Sequence, residues 1–165
     1  MNTKILLLAG LVLVIMVSEA HATVYRENLK GLPGVIVSIA PLSPDLEKDG
    51  AVTTGQLQTR VEAKLRQTGI KIFSVTEGTT PPDTPVLLLE VNTVKTATGG
   101  SSVVVDLSMH EKVTLRRVGD SIAHAITWRC YVVGFAGTTH VQGIYDFENS
   151  VLNEFSNDYQ AANPK

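Results

Sequence analysis

The chain has 165 residues, enough for one ordinary domain and too few for two sizeable cores. Hydrophobic residues make up 44% and charged residues 18%, which excludes a disordered or collagen-like chain. Lys and Arg number 14 against 16 Asp and Glu, a formal net charge of -2, and no polybasic stretch occurs, so nothing here favours nucleic-acid phosphates.

Lys4, the apolar run Ile5 to Val17 and the small-x-small triplet Ala20-His21-Ala22 have the order of a secretory signal, with the cut expected before Thr23. The run is shorter than the roughly 20 apolar residues that span a bilayer, so no stable membrane span is expected after cleavage. No cysteine stands near the cut to receive a lipid. Residues 1–22 are thus read as signal, 23–34 as a polar lead-in and 35–165 as a single domain. Cys130 is the only cysteine, so the core must hold without an internal disulfide. No Asn-x-Ser/Thr acceptor occurs, which fits a bacterial periplasm or exterior.

The lead-in closes on the turn-rich Gly31-Leu32-Pro33-Gly34. Val35 to Ala40 is a β-branched run of the kind found in a strand covered on both faces, and Pro41 and Pro44 end it before a polar connection, Asp45 to Gly50. Thr53 with Gln56 predicts a capping box that starts a helix. Leu57, Val61 and Leu65 make its apolar stripe, and Gly69 supplies a left-handed end followed by the hydrophobic Ile70. Ile70 to Val75 alternates as a second strand, and Thr76 to Pro85 is a loop.

Three alternating segments follow. Leu87, Leu89 and Val91 lie on the apolar face of the first, and Val103, Val105, Leu107, Met109, Val113 and Leu115 on that of the second. In the third, Ile122, Ile126, Trp128, Cys130 and Val132 form the heavier face. They predict half-buried antiparallel strands with one wet side. Paired residues share a face, so parity fixes register: a turn at Thr98-Gly99-Gly100 sets Ala97 opposite Ser101, and a loop from Arg117 to Asp120 sets Arg116 opposite Ser121 and Val113 opposite His124. Phe147, Val151, Phe155 and Tyr159, widened by Ile144 and Leu152, predict a last helix that stops at Asn163-Pro164. The expected fold is α+β: a mainly antiparallel sheet in the order β-α-β-β-β-β-α, with two helices packed on one face.

That order, with Val35-Ile36-Val37-Ser38-Ile39-Ala40-Pro41-Leu42 and the helix ending Leu65-Arg66-Gln67-Thr68-Gly69-Ile70, resembles the amino-terminal domain of TolB-type periplasmic proteins. The closing Phe155-Ser156-Asn157-Asp158-Tyr159 and Asn163-Pro164-Lys165 are similar to the tails of uncharacterised exported bacterial proteins of comparable length. The resemblance implies an architecture and an envelope location. It covers neither the β-propeller of TolB nor any functional residue.

No constellation for chemistry is expected. His124 and Cys130 share a strand face but stand about 20 Å apart by strand rise, too far to bind one ion; His110 points away, and His140 is expected in a loop before the last helix. No metal site and no cofactor follow. Cys130 between Trp128 and Val132 reads as a small buried hydrophobe rather than a thiolate. The chain lacks a Gly-x-Ser-x-Gly elbow; Ser38 reads as a small residue for close helix packing, and Ser121 and His124 face opposite sides of one strand. Glu111 interrupts an apolar face opposite Leu87, where it reaches water or marks a bulge, and no second group for acid–base work is evident near it. The stretch Gly134 to Thr139 before the last helix lacks a phosphate-loop pattern. The expectation is an exported, periplasmic or extracellular, non-enzymatic interaction module of the bacterial envelope with a protein partner. Strand edges at Val35 to Ala40 or Ile70, together with Tyr25, Tyr131 and Arg129, are candidate contacts. A carrier of a small apolar ligand is the alternative, and a hydrolase the third.

Overall fold

The computed structural model describes residues 22–48, 52–74, 83–95, 100–114, 121–136 and 140–164. The signal segment, and the hairpin tips at Thr98-Gly99 and Arg117 to Asp120, lie outside them. Four strands, β1 (Ile36–Ile39), β2 (Val86–Lys95), β3 (Ser101–Thr114) and β4 (Ser121–Ala136), form one sheet in sequence order. β1 runs parallel to β2, and β2, β3 and β4 form an antiparallel meander. The helices are the short α1 (Pro44–Lys48), α2 (Thr54–Gln67) and α3 (His140–Ala162), preceded by a 3-10 helix, Ala22–Leu29. The α+β class of the sequence reading is the observed one.

α2 forms where its end signals place it. The Thr53 hydroxyl accepts from Gln56 N–H at 3.2 Å, and the Gln56 side chain accepts from Thr53 N–H at 2.9 Å, so both halves of the capping box are made. At the other end Gly69, with φ of 84°, takes the left-handed turn; its N–H donates to Arg66 O and that of Ile70 to Leu65 O, each at 3.0 Å. Leu57, Val61 and Leu65 are fully buried. α3 buries Ile144, Val151, Leu152 and Phe155 on the predicted stripe. Asn163 then closes it, its side-chain amide donating to the carbonyls of Tyr159 and Leu29, each at 2.9 Å.

Both stripes meet Leu87, Leu89, Val91, Val103, Val105, Leu107, Met109 and Trp128 in one core. Leu29 and Leu32, read as polar lead-in, are part of it. α1 occupies much of the expected polar connection. Of the expected strand Ile70 to Val75, the described residues 70–74 make only an isolated parallel bridge, Val35 with Ile72, and Val75 lies outside them. α3 begins at His140, expected in a loop. Ser38 is opposite Leu88, on the sheet face away from the helices, so it does not serve helix packing.

Register shows what parity can and cannot fix. Lys95, not Ala97, is opposite Ser101. A slip of two residues leaves every side chain on its expected face, so the apolar pattern is blind to it. Between β3 and β4 the predicted diagonal holds from Ser101 opposite Ala136 to Met109 opposite Trp128. Irregularities at Met109/His110 and Glu111/Val113 then set Glu111 opposite Ala125 and Val113 opposite Ile122, not His124. Glu111 marks a bulge but is not opposite Leu87, which pairs with Met109. The same slip takes Ile126 off the buried face and leaves it exposed.

Candidate interaction surface

The helices cover one face of the sheet. On the other, register lays out rows: Val94, Ser102 and Phe135; Asn92, Val104 and Val133; Glu90, Asp106 and Tyr131; Leu88, Ser108 and Arg129. Val94 is 69% exposed, Val133 and Phe135 each 61%, and Tyr131 45%. The Phe135 ring lies over Gly100, where a Cβ would come within 2.0 Å of it, so glycine lets the aromatic lie flat against the neighbouring backbone. Asp106 is buried beneath Arg129, whose guanidinium donates to both carboxylate oxygens and sits 5.8 Å from the Tyr131 ring centre. The surface is thus an apolar patch bordered by a fixed ion pair.

Of the contact residues read from sequence, Tyr131 and Arg129 belong to this face. Tyr25 lies on the 3-10 helix and lines a hollow of about 220 Å3 with Ile126, Trp128 and Arg129. Val94, Val133 and Phe135 were missed. The signal was present: Tyr131, Val133 and Phe135 are apolar at odd positions of a strand whose even positions already supply the buried face.

The structure also brings together groups that sequence reasoning kept apart. His110, Glu111, Lys112, His124, Asp83, Thr84 and Ile36 line a hollow of about 260 Å3. The bulges turn His110 and Glu111 of β3 and His124 of β4 out of the regular alternation there. Each anchored group has a structural partner. His110 Nε2 shares a hydrogen bond with Ser108 Oγ at 3.0 Å, Thr127 Oγ1 donates to Glu111, and Lys112 pairs with Asp83 at 2.8 Å. Cys130 is not in this hollow. It is buried beneath α3, and burial, with Glu154, Asp158 and Asp106 adding negative charge, pushes its thiol up to about 11, so it holds no thiolate at neutral pH. Among the described residues no three His, Cys, Asp or Glu side chains are grouped to hold a metal ion. The Ser121 and His140 side chains and the loop Gly137 to Thr139 lie outside the described residues.

Between α2 and α3, Arg60 Nε donates to Glu148 Oε2 at 2.7 Å and its guanidinium lies 4.2 Å from the Tyr145 ring centre. Glu148 is fully buried and its Oε1 has no hydrogen-bond partner among the described residues. Burial raises its pKa above the ordinary 4.5, an effect that Arg60 only partly offsets. The folded state therefore binds this proton more tightly than the unfolded chain, and the group's contribution to stability is full below 4.5 and falls as pH rises through the folded pKa. Glu148→Gln should flatten that fall. Urea midpoints of both proteins at steps between about pH 4 and 7 read the difference in slope.

No family model matches the chain, and no curated protein matches it. Among solved structures, a minor lipoprotein from Acinetobacter baumannii is similar, with 12% identity and a TM-score of 0.34 over 79% of this chain and 93% of that one. No described helix is long and apolar enough to cross a membrane.

Proposed function

We propose that this protein is an exported, non-enzymatic interaction module of a bacterial cell envelope, and that it binds a protein partner through the outward sheet face around Val94, Val133 and Phe135. The observation that carries the reading is that three large apolar side chains, each more than half exposed, gather on the sheet face that no described helix covers. Export rests on the order of charge, apolar run and Ala20-His21-Ala22 at the amino end. The layer between sheet and helices is filled by Trp128, Phe155, Leu57, Leu107 and Met109, all fully buried, which favours a surface over a carrier's internal pocket.

Pull-down from envelope extracts tests it, with wild type compared against Val94→Glu. Val94 is exposed, so the variant should melt like wild type and lose the proteins that wild type retains. Equal capture by both removes this face from the reading. No specific capture by wild type removes the interaction module itself.

A further inference from the structure

We infer that a second copy of this chain pairs with the free edge of β4, strand to strand, along Cys130–Ala136. The inference deepens the reading of the outward face as a binding surface. β4 is the longest strand, with 16 residues, and among the described residues it pairs only with β3. Its middle is covered: the 3-10 helix packs against β4, and Asn28 Nδ2 donates to Thr127 O at 2.6 Å. Cys130–Ala136, beyond that cover, has no charged residue and no proline, two of the devices that keep a soluble edge from pairing. It also carries Tyr131, Val133 and Phe135, exposed on one face.

Two observations select a second β4 as the occupant. The opposite edge of the sheet, among the described residues, is β1, four residues long and with Gln58 Nε2 donating to Val37 O at 3.3 Å, too short to receive a strand of this length, so head-to-tail stacking lacks an acceptor. The exposed residues are also self-complementary about Val133. An antiparallel two-fold through that residue sets Val133 against its own copy and Tyr131 against Phe135 of the second chain, twice, all on the same face. The product is one continuous sheet with the helical layers of both chains on one side and both outward faces on the other. A narrow contact of this kind sits near the lower end of specific interfaces, at roughly 1,200 Å2, so the dimer is reversible.

Sedimentation velocity of the purified protein over a concentration series should show a reversible monomer–dimer equilibrium. Val133→Lys sets two ammonium groups against each other at the axis and should raise the dimer dissociation constant about tenfold or more. Two double variants test the register while removing the same aromatics. Tyr131→Glu with Phe135→Lys places opposite charges across both outer pairs and should retain the dimer. Tyr131→Lys with Phe135→Lys places like charges there and should abolish it. Monomer at every concentration, a Val133→Lys dimer as tight as wild type, or equal behaviour of the two double variants overturns the inference. Val94→Glu, away from the edge, should leave the dimer intact. A monomeric protein that still captures partners lost in Val94→Glu would refute self-pairing while leaving the interaction module standing.

Discussion

Phe155→Ala is expected to cost about 4 kcal/mol, and to lower the melting temperature by roughly 12 °C. Phe155 is fully buried on α3, and its ring meets Trp128 edge to face, with centres 4.9 Å apart and planes at 71°. Alanine removes the aromatic pair as well as the buried area, and the space left lies between a helix and a sheet, neither of which can collapse freely. Calorimetry or chemical denaturation checks it. A loss below about 1 kcal/mol would mean that α3 closes onto the sheet without this contact. Phe155→Leu, which refills much of the volume, should recover about half of the loss.

Asp158→Ala is expected to cost about 3 kcal/mol. This carboxylate is buried one turn beyond Phe155; its Oδ2 accepts from the Trp128 indole N–H at 3.0 Å and its Oδ1 from Arg26 Nε at 2.7 Å. Alanine strands a buried indole donor and releases the 3-10 helix from α3. Because the indole suffers only while it has lost its acceptor, Trp128→Phe combined with Asp158→Ala should cost less than the two single losses added together. Additive losses in a double-mutant cycle would show that Asp158 acts through Arg26 alone.

What the sequence made legible was what neighbouring residues decide. Thr53 with Gln56, and Gly69 with Ile70, mark the ends of α2 because capping needs only residues a few positions apart, and the stripe Ile144, Val151, Leu152, Phe155 follows from helical spacing. Contacts between distant segments were less legible. The parallel pairing of β1 with β2 depends on residues some 50 positions apart, and the bridge of Ile72 to Val35 on residues nearly 40 apart. Leu29 looked like part of a polar lead-in, since its burial depends on α3 arriving more than a hundred residues later. The bulges at Met109/His110 and Glu111/Val113 obey no local pattern, which is why the grouping of His110, Glu111 and His124 escaped the reading. Of the candidate surface, Tyr131 and Arg129 could be named from type alone, whereas Val133 and Phe135 are marked only by their odd positions in a strand whose even positions fill the core, a signal that residue type does not carry.

Asn163 joins the two ends of the described chain: besides holding the Leu29 carbonyl, its Oδ1 accepts from Gly31 N–H at 2.7 Å. The stretch Leu29–Gly31 is therefore clasped from the far end of α3, more than 130 positions away, and Asn163→Ala should loosen it while α2, capped by its own neighbours, stays formed.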